Sequence, residues 1–96
     1  MTTNHRQLFE PGQLQATRGA RALGVVFVTY LKRHLAGDWG QVDPVIQASN
    51  QRALELGEGL IASAYETPAG WLLLVTQPDR SATVFLVPSE LSDKDL

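Results

Sequence analysis

Between Leu60 and Val87 the chain carries three apolar runs, Leu60–Tyr65, Trp71–Thr76 and Ala82–Val87, separated by two short turn segments. Thr67-Pro68-Ala69-Gly70 fits a type I turn, with Pro at i+1 and Gly at i+3. Gln77-Pro78-Asp79-Arg80-Ser81 is rich in the same turn formers. Connections this short cannot return the chain for parallel pairing, so consecutive strands must pair antiparallel. The result is a three-stranded meander, ended by Pro88. In its middle strand Trp71-Leu72-Leu73-Leu74-Val75 is apolar at every position. A strand with one face on a core and one in water alternates apolar with polar residues. The second face of this sheet is therefore expected to be covered too, by another subunit or a partner.

Upstream the periodicity turns helical. Phe27, Leu31 and Leu35 recur at i, i+4 and i+8, with Val28 beside them, predicting a helix over Val25–Ala36. Lys32, Arg33 and His34 stand in its last turns, where cations suit the dipole, and Gly37 stops it. Asp43-Pro44 opens a second helix, with Asp as cap and Pro at the first helical position. Its inward stripe is Ile46, Ala53 and Leu56, flanked by Val45 and Leu54, and Gly57 closes it. Leu14–Thr17 alternates as a short strand, and Gly19–Gly24 makes one helical turn. The expected fold class is α+β: two helices packed on a small antiparallel sheet, preceded by a short strand. Met1–Glu10 and Ser89–Leu96 are expected to be loose ends of a single domain spanning residues 1–96.

The chain has 96 residues, 44% of them hydrophobic and 19% charged, which suits one small globular domain. A core this small leaves a narrow stability margin, and a homodimer would extend it. The absence of cysteine removes disulfides, thiol nucleophiles and thiolate metal sites. It fits a reducing compartment. The first residues, MTTNHRQLFEPGQ, lack the apolar run of a signal peptide. The longest apolar stretches, Gly24–Val28 and Trp71–Val75, are too short to span a bilayer. A cytoplasmic protein that does not engage membrane is expected. The formal net charge of -2 gives no global drive toward nucleic acid, so any such binding would be weak and salt-sensitive.

Catalytic patterns are missing. The two histidines, His5 and His34, have no acidic or histidine neighbours at metal-ligand spacing. No P-loop and no GxGxxG is present. Ser49, Ser63 and Ser81 lack a nucleophile-elbow context. The expectation is a non-enzymatic protein without metal or cofactor.

Four features are candidates for function. Asp38-Trp39-Gly40 joins the two helices. Trp39 with Asp38 beside it has the composition of a partner-binding anchor. Alternatively, Trp39 folds back over the helix junction and Asp38 bonds loop amides, which is preferred because small domains often seal loops with an aromatic. Asn50 shares a helix face with Ile46, Ala53 and Leu54 and is expected to be a structural polar group bonded to the Asp38–Gly40 loop. Arg80, at a hairpin tip, is either a solvated turn residue or a contact for a partner carboxylate or a phosphate. Trp71 joins Trp39, Asp38 and Arg80 in the candidate partner-binding set. Arg18, Arg21, Lys32 and Arg33 make a candidate basic patch, or an ordinary solvated face.

The segments LKRHLAGDWG (Leu31–Gly40), Asn50 with Ala53-Leu54, IASAY (Ile61–Tyr65) and DRSATVFLV (Asp79–Val87) resemble a family of short bacterial, plasmid and phage proteins. Its members are often called "plasmid-related protein" and are sometimes labelled a type I restriction enzyme subunit M. The likeness covers roughly Leu14 to Glu90 and departs after Trp71, where Leu72-Leu73-Leu74 replaces more mixed residues. It implies a mobile-element setting and no established activity. Two roles lead: a protein-binding module acting on a host defence, nuclease or toxin system, or a nucleic-acid-binding accessory protein; a small enzyme using Asp38, Asp43, Asn50 or Asp79 as polar groups ranks last.

Overall fold

The computed structural model describes residues 7–91. Strand β1 (Gln13–Ala16) is followed by helices α1 (Arg18–Ala22), α2 (Phe27–Leu35) and α3 (Pro44–Leu56). Strands β2 (Ile61–Thr67), β3 (Gly70–Thr76) and β4 (Ala82–Leu86) come next, and a 3-10 turn, Pro88–Glu90, ends the described chain. The sheet order is β1-β4-β3-β2. No helix among the described residues is long and apolar enough to cross a membrane.

The meander is present with both pairings antiparallel; Ser63 stands opposite Leu74 and Val75 opposite Val84. In its first hairpin the Thr67 hydroxyl donates to Gly70 O and accepts from Ala69 N. Strand β1, however, joins β4 in parallel, with Leu14 opposite Thr83. The sheet is therefore mixed, which corrects the all-antiparallel expectation. No short turn links β1 to β4, so nothing local dictates their relative direction.

A second correction is the number of helices. The single turn expected over Gly19–Gly24 is a five-residue helix, α1, whose N-terminus is capped by the Thr17 hydroxyl accepting from Ala20 N. Gly24, at φ +69, separates it from α2, which begins at Phe27. Helix α3 starts where its sequence signals place it, with the Asp43 carboxylate accepting from Ile46 N and Pro44 at its start. Of its expected inward stripe, however, Ala53 is buried while Leu56 and the flanking Val45 are exposed.

All three helices pack on one face of the sheet. Ala20 of α1 and Phe27, Tyr30 and Leu31 of α2 surround Tyr65, Leu72, Leu74 and Phe85. Phe27 stacks on Phe85 with ring centroids 4.7 Å apart. Ala53 and Leu54 of α3 meet Ile61, Phe9 and Trp39 in a second cluster. Phe9 is buried, and Leu8 N–H donates to Leu35 O at 2.8 Å. The chain is thus anchored before Glu10, where a loose end was expected. At the other terminus Glu90 is also engaged: its carboxylate accepts from Thr17 Oγ1, Gly19 N and Val87 N. These bonds hold its carboxyl below the usual range. Residues 1–6, with His5, and 92–96 of the expected loose ends lie outside the described residues.

Candidate functional site

Of the residues singled out in the sequence, Asn50, Trp39 and Asp38 converge on the edge strand β2. In an edge strand, alternate residues point their backbone N–H and C=O groups away from the sheet. Here those residues are Ala62, Ala64 and Glu66, and the first two are sealed. The Asn50 side chain donates to Ala62 O at 2.8 Å and accepts from Ala62 N at 3.0 Å. The chain at Trp39–Gln41 runs alongside as a one-bridge parallel strand. Ala64 N donates to Trp39 O, and Gln41 N donates to Ala64 O. Asn50 is therefore structural, but its partner is the β2 backbone and not the interhelix loop. Gly40, at φ +69, lies so close that a Cβ there would stand 2.1 Å from Ala64 O.

Trp39 is only 8% exposed, and its buried indole N–H has no acceptor among the described residues. It is not available as a solvent-facing anchor. Asp38 is exposed, but it is held by Arg33, whose Nε and Nη2 donate to the two carboxylate oxygens at 2.8 and 3.3 Å. These bonds hold the Asp38 carboxyl below its usual range and raise the Arg33 guanidinium. The guanidinium lies 4.5 Å over the Tyr65 ring, and Tyr65 O–H donates to Asp38 O at 2.6 Å. Burial pushes the Tyr65 hydroxyl up. Beside this cluster is an open pocket of about 330 Å³, reaching Gln41 and Glu66. Its two opposed charges, Arg33 and Asp38, satisfy each other, so they do not converge on a ligand.

A second polar assembly lies inside the core. Thr83 O–H donates to Pro11 O at 2.8 Å, so Thr83 must accept from Thr76 at 2.6 Å. Thr76 in turn accepts from His34 Nε2–H at 2.8 Å. Burial pushes the His34 imidazole down to about 4. It is neutral at pH 7, its Nδ1 is an acceptor, and Ser63 O–H donates to it at 2.5 Å. This corrects the reading of His34 as a helix-end cation. A serine donating to an imidazole is the geometry of an activated nucleophile. With His34 0% and Ser63 2% exposed, substrate has no access to it. The sequence signal for His34 was its position one turn beyond Tyr30 and Leu31, on the helix face that enters the core.

Arg80 also has a structural place. At φ +63 it donates from Nη1 to Gly59 O and Pro78 O at 2.7 and 3.0 Å, and from Nη2 to Ala53 O at 3.2 Å. It clamps the C-terminal end of α3 to the β3–β4 turn, with both terminal nitrogens bonded to carbonyls of this chain. The four cations of the expected basic patch are exposed, but Arg18 and Arg21 lie on α1, while Lys32 and Arg33 lie on α2. Arg33 is also paired with Asp38.

What remains outward is the uncovered face of the sheet. Burial along β2, β3 and β4 alternates, and the residues pointing away from the helices are Ala62, Ala64, Trp71, Leu73, Val75, Ala82, Val84 and Leu86, with Glu66 at one end. Two apolar rows cross three strands: Ala64–Leu73–Leu86 and Ala62–Val75–Val84. Trp71, 40% exposed, stands at the corner. Among the described residues, no group of three or more His, Cys, Asp or Glu side chains is placed to hold a metal ion. Comparisons with protein-family models, curated proteins and solved structures found no match to this chain.

Proposed function

We propose that this chain is a non-enzymatic protein-binding module, cytoplasmic and of mobile-element origin, that engages a protein partner through the open face of its sheet. The observation that carries this reading is the pair of apolar rows on that face, with Trp71 beside them. An uncharged apolar centre with polar residues at the margin, here Glu66 on β2 and Gln13 and Gln15 on β1, is the composition of an interface core and rim. Trp71 supplies the exposed aromatic that commonly anchors such contacts. The resemblance of LKRHLAGDWG, IASAY and DRSATVFLV to mobile-element proteins supports a partner among host defence, nuclease or toxin components. The nucleic-acid alternative has less behind it, since one of its four cations is already paired and the net charge is -2.

The test is affinity capture from the host cell, with and without nuclease treatment, using wild type and Leu73→Glu. Leu73 is half-buried in the middle of the open face. The expected result is a defined protein retained after nuclease treatment and lost with a folded Leu73→Glu variant. Capture that depends on nucleic acid, or that survives Leu73→Glu, overturns the proposal.

A further inference from the structure

The two edges of the sheet are treated differently. On β2, the outward groups of Ala62 and Ala64 are closed by Asn50 and by Trp39–Gln41. On β1, Gln13 N donates to Ser81 O and Thr17 N to Phe85 O, so the odd-numbered residues turn their backbone groups toward β4. Alternation then directs the N–H and C=O of Leu14 and Ala16 away from the sheet. No described residue of another element bonds them. Beside this edge lies an apolar groove of about 380 Å³ formed chiefly by Leu14, Ala16, Phe27, Val28, Leu31 and Phe85. Leu14 and Val28 are each 51% exposed.

We propose that two copies of this chain join through β1, pairing antiparallel to make one continuous eight-stranded sheet. This rests on the open edge and not on the sheet face invoked above. Unpaired backbone groups flanked by an apolar groove are satisfied by an extended strand. The β1 strand of a second copy has the same unmet groups, and the register closes on itself. A two-fold axis at Gln15 sets Leu14 of each copy opposite Ala16 of the other, giving four backbone hydrogen bonds. The axis stands perpendicular to the sheet, so both sets of helices fall on one side. Leu14 and Val28 of the two copies then meet over the joined edge and cover each other's grooves. The same register brings Arg18 of one copy toward Glu10 of the other. Both are exposed, and neither has an ion-pair partner among the described residues. A four-residue strand pair is a small interface, so association should depend on concentration.

The test is sedimentation equilibrium over a wide concentration range, with Ala16→Pro and Leu14→Lys beside wild type. Ala16→Pro removes an N–H that bonds nothing in the monomer, at an edge position where proline is tolerated. Leu14→Lys places a charge in the groove. Wild type should show a monomer–dimer equilibrium, and each variant should raise its Kd by ~10-fold or more. Hydrogen exchange on wild type supplies a readout independent of the variants' folding. The amides of Leu14 and Ala16 should gain protection as concentration rises. A wild type that stays monomeric overturns the proposal, as does unchanged exchange at Leu14 and Ala16 in a dimer. So does a dimer that persists in both folded variants and is instead broken by Leu73→Glu.

Discussion

Ser63 Oγ and His34 Nδ1 lie 2.5 Å apart in a fully buried contact between β2 and α2, with the serine donating to a neutral imidazole. The contact belongs to a chain that runs through Thr76 and Thr83 to Pro11 O. Every proton in it is committed: protonating Nδ1 would set two donors against each other and bury a charge.

Acid should therefore loosen the fold in a definite window. The folded His34 titrates at about 4, below the ordinary value of 6.5, so between these values the unfolded chain binds more protons. Stability is then full above the ordinary histidine range and falls as pH drops toward the folded value, by about 2 kcal/mol between pH 7 and pH 5. The depressed carboxyls of Asp38 and Glu90 add further loss below that window. Urea unfolding of wild type at pH 7 and pH 5 measures the effect. Equal midpoints at the two values would show that His34 binds its proton equally well in the folded and the unfolded chain, and the assignment of the hydrogen-bond chain would fail.

Removing the Asn50 amide should strand both outward groups of Ala62. Asn50→Ala is expected to cost about 1–3 kcal/mol. It should also increase aggregation on storage, because β2 then offers a free edge. A variant with wild-type stability and solubility would mean that Asn50 does not close this edge.

Gly40 and Gly24 form a matched pair, both at φ +69. A Cβ at Gly24 meets nothing within 4 Å, whereas one at Gly40 would stand 2.1 Å from Ala64 O. Gly24→Ala should cost about 1–2 kcal/mol for the left-handed backbone alone. Gly40→Ala should cost clearly more, because it also pushes the Trp39–Gln41 segment off β2. Similar melting temperatures for the two variants would contradict that packing.

The two tryptophans should be separable by emission. Trp39 is 8% and Trp71 40% exposed. Trp39→Phe should leave a red-shifted spectrum that acrylamide quenches readily. Trp71→Phe should leave a blue-shifted, protected one. Trp39→Ala should cost about 3–5 kcal/mol. The reverse assignment of the spectra would move Trp39 to the surface.

Arg80 combines a left-handed backbone with a clamp on three carbonyls from separate segments. Arg80→Ala should cost about 1.5–3 kcal/mol. Arg80→Gly should lose the same bonds but recover part of that cost, since glycine is unstrained at positive φ. Thermal unfolding of the pair decides it; an alanine variant more stable than the glycine variant would argue against backbone strain at this position.

The parts of the fold that were legible in the sequence are those set by neighbours a few residues apart. Pro68 and Gly70 close a hairpin within four residues, and Asp43 with Pro44 starts α3 by bonds within one turn. The unbroken apolar run Trp71–Val75 likewise announced a sheet with two apolar faces, because strand alternation needs no distant information. The partners of the polar residues were not legible. Asp38, Trp39, Gly40 and Asn50 stood out as a pattern, yet their shared place beside β2 is visible only when α2, α3 and β2 are assembled. His34 and Ser63 are 29 residues apart, and His34 and Thr76 are 42 apart. A hydrogen bond over such a separation leaves no periodic trace, because it depends on where whole elements dock. The direction of β1 has the same character. Turn chemistry by itself determined the meander and the start of α3; packing of the helices on one face decided the parallel edge strand, the buried imidazole, and which sheet edge is closed and which is left open.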